Sequence, residues 1–192
     1  MTQSDSKTQH KLKISFETVG SITAIIVGIA ALLLSWDQGR LMREEIRASV
    51  WPALQVDGFV DKNDESLRMG IRVQNAGVGP ALVQQISVLF RDELLSDINA
   101  LTQKMPPQAE RSYETITGRV IAAGDEVTPF TFRYQPDKDN DNDAIDELYR
   151  IANDWVVEIC YCSTLKQCWV SDLNASAPRE VKQCRLKQSI GL

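Results

Sequence analysis

The longest run of apolar positions lies near the amino terminus, where Val19–Trp36 (VGSITAIIVGIAALLLSW) carries no charge. A helix from Phe16 to Trp36 would be about 30 Å long, which matches the hydrocarbon core of a bilayer. The run is apolar on all faces, and aromatic residues lie near both ends, where membrane–water interfaces favour them. The pattern predicts a transmembrane helix over residues 14–36, preceded by a polar tail over residues 1–13.

The apolar run is interpreted as an uncleaved signal anchor. No small-x-small cleavage site precedes Asp37, and the run is longer than the core of a typical signal peptide. Within it, Gly20, Ala24 and Gly28 recur every four residues and form a ridge of small side chains. Such a ridge lets two membrane helices approach closely, so a homo-oligomer through this helix is expected. The alternative is chance, because small residues are common in membrane helices.

Residues 37–51 are rich in helix formers and predict a helical stalk that continues the membrane helix. Leu41, Met42, Ile46 and Val50 lie along one face, and Pro52 ends the helix. The stalk can be a coiled coil or an amphipathic spacer. The pattern is too short to decide between them.

After Pro52 the hydrophobic period changes to two. Leu67, Met69, Ile71 and Val73 alternate with polar neighbours, as in a half-buried strand. A turn formed by Asn75, Gly77, Gly79 and Pro80 follows it. Strands are predicted at Ala53–Val60, Ala81–Phe90, Glu114–Ile121, Glu126–Tyr134, Trp155–Cys162, Cys168–Asp172 and Glu180–Leu186, and short helices within Glu93–Met105 and at Asp143–Ile151.

About seven short strands separated by turns predict an antiparallel β-sandwich over residues 52–192, of the immunoglobulin-like kind, with one or two short helices. A partly closed barrel is the alternative. The expected fold class is therefore an N-terminal transmembrane helix followed by a mainly β domain.

All four cysteines, Cys160, Cys162, Cys168 and Cys184, lie near the carboxyl end. Cys160 and Cys162 share one face of a strand, and a hairpin would bring Cys168 near Cys162. Of three pairings, we favour Cys162–Cys168 with Cys160–Cys184, which implies an oxidising compartment. The alternative is a structural zinc site in a cytoplasmic domain, although the spacing lacks the usual C-x2-C pairs.

Composition argues against several kinds of chemistry. The net charge of −5 does not indicate a surface that binds nucleic acid. The only histidine, His10, lies in the tail, so the body cannot use histidine as a base or zinc ligand. No enzyme, catalytic residue, cofactor or metal site is expected. The acidic segment 137–143 resembles the start of a calcium loop, but Asn142 and Leu148 replace the required glycine and glutamate.

A hydrolase that uses carboxylates alone is the least supported alternative. Its candidate acids are Asp125, Glu126, Asp146, Glu147 and Glu158, whose spacing does not imply that they converge.

The chain resembles a group of small single-span bacterial membrane proteins to which no activity is attached. The resemblance rests on Trp51-Pro52 after an Arg/Glu-rich helix, on the N-x-G-x-G-P-A turn from Asn75 to Ala81, and on the Y-C-S…C-W hairpin from Tyr161 to Trp169. The strand–turn–strand portion is also similar to immunoglobulin-like adhesion modules of microbial surface proteins. Both resemblances imply architecture only.

The expected function is non-catalytic binding or scaffolding by a single-pass protein of the inner (plasma) membrane, with a periplasmic or exterior β-sandwich. Its expected partners are the lipid bilayer, a second copy and an unidentified protein. Three basic residues lie on each side of the span, so the positive-inside rule does not decide the orientation. The expected orientation therefore rests on the cysteines. The alternative is a cytoplasm-facing sensor or effector whose cysteines are reduced or bind zinc, and which signals through helix association.

Overall fold

The computed structural model of the chain describes residues 16–63, 66–91, 93–105, 108–135, 142–175 and 177–185. The chain divides into two compact units after Ile46, and each is described by itself. The helices are α1 (Phe16–Ser49), α2 (Ile98–Thr102) and α3 (Asn142–Asn153). The strands are β1 (Leu54–Lys62), β2 (Leu67–Asn75), β3 (Ala81–Phe90), β4 (Glu93–Leu94), β5 (Glu110–Tyr113), β6 (Val120–Ile121), β7 (Glu126–Tyr134), β8 (Trp155–Cys162), β9 (Cys168–Asp172) and β10 (Arg179–Val181).

The first unit is built on α1, a continuous helix of 34 residues with no buried side chain. Its most apolar 18-residue window has a mean hydropathy of 2.2, so the helix is long and apolar enough to cross a membrane. The hydroxyls of Ser21 and Thr23 donate to the carbonyls of Glu17 and Val19, four residues back. These polar groups therefore need no partner outside the helix.

The second unit contains two antiparallel sheets. One has the order β1-β2-β7-β5, and the other has the order β10-β9-β8-β3-β4, with β6 paired to the start of β3. Consecutive strands β1 and β2 form a hairpin, as do β8 and β9. The antiparallel β-sandwich predicted from the sequence is thus the observed architecture.

The core lies between the two sheets and is built by the inward positions of each strand. Met69, Ile71 and Val73 of β2 are buried, and so are Val157 and Ile159 of β8. The ring of Trp155 makes edge contacts with Phe130 and Phe132, at centroid distances of 5.4 and 5.7 Å. Since Trp155 belongs to one sheet and both phenylalanines to the other, these rings join the two layers.

The register of β3 shifts between Val83 and Gln85, where it pairs with β8. Such a bulge inserts one residue and reverses which side chains face inward. Val83 is buried before the shift, and Ile86 and Val88 are buried after it. The bulge keeps apolar side chains on the core side although the sequence alternation changes phase.

The prediction of a strand over Glu114–Ile121 is wrong for most of that range. Only Val120–Ile121 pairs with β3, because a turn intervenes at Gly118, which has φ +81°. Ile116 is nevertheless fully buried. Its apolar side chain fills the core from a loop, which the alternation pattern could not distinguish from a strand.

The helix predicted within Glu93–Met105 is also shorter than expected. Glu93 and Leu94 instead pair with Phe90 and Leu89 of β3. The side chain of Asp97 accepts a hydrogen bond from the Ala100 amide (2.9 Å), so it caps a helix that begins only at Ile98. The predicted strand Glu180–Leu186 is observed as Arg179–Val181, and its last residue lies outside the described range.

Candidate functional site

Asn75, the first residue of the predicted turn, is fully buried and its side chain joins four backbone groups. Its amide oxygen accepts from the Ala53 and Gly77 amides (3.2 and 3.0 Å). Its amide nitrogen donates to the carbonyls of Gly79 and Ile121 (2.8 and 3.0 Å). Both donors and two acceptor sites of this side chain are therefore satisfied, and they connect the turn to the start of β1 and to β6.

The turn glycines lie against the chain that enters β1. A methyl group added at Gly77 would overlap the Ala53 amide and the Trp51 carbonyl, and one added at Gly79 would overlap Val50. The amides of Val78 and Gly79 both donate to the Trp51 carbonyl (3.0 and 3.1 Å). The absence of a side chain thus allows the turn and the segment before β1 to pack backbone to backbone. Pro80 comes immediately before β3. Its lack of a backbone N–H therefore removes no hydrogen bond from the sheet.

Tyr161 and Ser171 form hydrogen bonds that join the first residue of β1 to the opposite sheet. The Leu54 amide donates to the Tyr161 hydroxyl (3.1 Å), and the Ser171 hydroxyl donates to the Leu54 carbonyl (2.7 Å). Burial raises the pKa of the Tyr161 hydroxyl, although its hydrogen bonds with Ser171 and Leu54 oppose this effect. This link could not be predicted from the sequence, since hydroxyls ten residues apart give no periodic signal.

The four cysteines form two disulfides, Cys160–Cys184 and Cys162–Cys168. This is the pairing that the sequence analysis favoured. Cys162 and Cys168 are directly opposite each other in the β8–β9 hairpin. Cys160 lies on the same face of β8, and Cys184 follows β10. The second disulfide therefore attaches the segment after β10 to the outer face of β8.

The two disulfides touch. The Sγ atoms of Cys162 and Cys184, which belong to different disulfides, are 3.9 Å apart. The Sγ atoms of Cys162, Cys168 and Cys184 all lie within 4.8 Å of one another. Reduction would convert these sulfur atoms to thiolates, a ligand type that binds tetrahedral zinc. Among the described residues, this is the one group of three or more metal-ligating side chains.

A groove of about 460 Å³ lies beside Cys162. Its walls are mainly apolar, and one cationic side chain lies among them. The lining residues include Pro80, Leu82, Val120, Cys162, Ser163 and Lys166. Val120 is 62 % exposed and Leu82 is 36 % exposed. The groove therefore presents apolar surface to solvent directly beside a disulfide.

The predicted small-residue ridge belongs to the first unit. Gly20 and Gly28 lie in α1, where an added methyl group at either position would meet nothing within 4 Å. The ridge is therefore open along the helix. Glu126 forms an ion pair with Arg72 (3.1 Å). Residues 137–141 of the acidic segment lie outside the described range.

No protein-family model matches this chain, and no curated protein matches it.

Proposed function

We propose that the protein is a single-pass inner-membrane protein whose oxidised β-sandwich, on the periplasmic or exterior side, binds or scaffolds a partner protein without catalysing a reaction. The observation that carries the proposal is the combination of one apolar helix with two disulfides in the folded body. Disulfides persist in oxidising compartments, and a folded body joined to an apolar helix stays near the membrane surface.

The groove beside Cys162 is the proposed contact surface for the partner. Val120 and Leu82 expose apolar surface in this groove, and its burial by a partner would be favourable. A homo-oligomer through Gly20, Ala24 and Gly28 would present two such grooves and raise the avidity of the complex.

Membrane anchoring is tested by extracting membranes that hold the full-length protein with alkaline carbonate. The protein should remain in the membrane pellet, and deletion of residues 1–36 should release it. A deletion variant that still sediments with membranes would contradict the anchor.

Partner binding is tested by placing a photo-crosslinking amino acid at Val120, with Glu110 as the matched control. Both residues are exposed, but only Val120 lines the groove. A crosslink to a distinct envelope protein from position 120, and not from position 110, is the expected result. Equal crosslinking from both positions, or none from Val120, would contradict a partner in the groove.

The sulfur cluster formed by Cys162, Cys168 and Cys184 supports a second candidate, a cytoplasm-facing sensor or effector. Because three of its sulfur atoms lie within 4.8 Å, the reduced cluster can hold zinc, and metal loss would be sensed as a change in helix association. Stoichiometric zinc in protein purified under reducing conditions would favour this candidate. Protein that is free of zinc and has no free thiol would exclude it.

A further inference from the structure

The contact between the two disulfides places a reactive sulfur beside a bond that it can open. Thiol–disulfide exchange begins when a thiolate attacks one sulfur of a disulfide. A thiolate at Cys162 would lie 3.9 Å from Cys184, which is bonded to Cys160. The two disulfides are therefore arranged so that opening of one permits opening of the other.

Solvent reaches the two disulfides at different residues. Cys162 lines the groove, together with Lys166. Cys160 is fully buried. A dissolved thiol can therefore approach the first disulfide at Cys162 through the groove. It can approach the second disulfide at Cys184, which is half-buried, but not at Cys160.

We propose that the groove is a thiol–disulfide exchange site for a partner dithiol, and that Cys160–Cys184 is the final acceptor of the electron pair. A partner thiolate attacks Cys162, the Cys162–Cys168 bond breaks, and Cys168 leaves as a thiolate. The partner's second thiolate attacks the mixed disulfide at the partner's own sulfur. The partner leaves as a disulfide, and Cys162 becomes a thiolate.

The electron pair is then passed inward. The Cys162 thiolate attacks Cys184, and Cys160 leaves as a thiolate that takes a proton. The Cys168 thiolate attacks Cys162 and displaces Cys184, which also takes a proton. In total, one partner dithiol is oxidised and Cys160–Cys184 is reduced to two thiols, while Cys162–Cys168 is formed again. The exchange is stoichiometric, and it releases the segment after β10 from β8.

The first test uses the wild-type full-length protein in detergent with one equivalent of dithiothreitol. After acid quenching and alkylation, cleavage after Tyr161 separates Cys160 from Cys162 for mass spectrometry. The expected product retains Cys162–Cys168 and carries alkyl groups on Cys160 and Cys184. A product alkylated at Cys162 and Cys168, with Cys160–Cys184 intact, would overturn the proposal.

A matched variant separates the relay from direct attack on Cys184. In C162A/C168A, reduction of Cys160–Cys184 by dithiothreitol should be at least about tenfold slower than in the wild type, because the route through Cys162 is missing. An unchanged rate would mean direct attack and would overturn the relay.

A trapped intermediate provides an independent measurement. In Cys168→Ser, the Cys162 thiolate has no partner in the groove, so protein folded under oxidising conditions should contain both Cys160–Cys184 and Cys162–Cys184. Detection of Cys160–Cys184 alone, with Cys162 fully alkylated, would overturn the inward step. These tests are made on purified protein, so their failure is distinct from a failure of the membrane orientation or of partner binding.

Discussion

At the scale of single residues, the side chain of Asn75 holds several segments of the backbone together. Its buried side chain makes four hydrogen bonds to the backbone of three different segments. Replacing it leaves buried amides and carbonyls without partners, and each such group costs about 1–3 kcal/mol. The sequence identified Asn75 as a turn residue but not its bond to Ile121, since that contact spans 46 positions.

Asn75→Ala should therefore lower the free energy of unfolding by at least about 4 kcal/mol. Gln74→Ala, at the neighbouring exposed position, should change it by less than about 0.5 kcal/mol. Urea unfolding of the full-length protein in detergent, followed by tryptophan fluorescence, measures both. Equal effects of the two substitutions would show that the side-chain bonds of Asn75 are not structural.

The burial of Tyr161 predicts that the protein loses stability at alkaline pH. Its pKa is raised by burial, so the folded state keeps the proton where the unfolded state loses it. The contribution of Tyr161 is complete below pH about 10 and is lost as pH rises through the folded pKa. Wild-type protein should lose more stability between pH 9 and 11 than Tyr161→Phe, measured by the same unfolding assay. Identical pH profiles would contradict the assignment.

At the scale of elements, the apolar strands bounded by turn residues were predictable and the irregular segments were not. The bounds predicted for β3, β7, β8 and β9 agree with those observed. By contrast, all four residues of β5 are exposed, so its sequence lacks the alternation that marks a half-buried strand. The contact between the two disulfides depends on how the segment after β10 returns to β8, and no local pattern encodes that path.

The turn between β2 and β3 is an element whose sequence is set by close packing. Gly79→Ala would place a methyl group into the backbone of Val50, so we expect a loss of at least about 2 kcal/mol of stability. Val78→Ala, at an exposed position of the same turn, is the control and should be nearly neutral. Thermal unfolding of the full-length variants distinguishes them. A stable Gly79→Ala variant would mean that the segment before β1 moves without cost.

The ridge in α1 predicts self-association in membranes. Gly20→Leu with Gly28→Leu should reduce dimerisation at least about tenfold, because close backbone approach is blocked. Ala30→Leu makes a similar change of size on another face of the helix and should leave dimerisation intact. Energy transfer between labelled full-length proteins in vesicles measures the difference. Equal dimerisation of both variants would exclude this face.

At the scale of the whole molecule, the central claim is that the disulfide-bonded body faces an oxidising exterior. All four cysteines lie within residues 160–184, so thiol labelling reports on the body alone. As a control for sidedness, Ser6→Cys in a variant whose four native cysteines are alanine reports on the tail. That position should react only after the membrane is dissolved.

The most direct measurement is labelling of spheroplasts with a membrane-impermeant maleimide, with and without prior treatment by an impermeant reductant, followed by a gel shift. An oxidised, exterior body predicts that the native cysteines react only after reduction, while the membrane is intact. It is contradicted if the cysteines remain unlabelled until the membrane is dissolved and then react without a reductant.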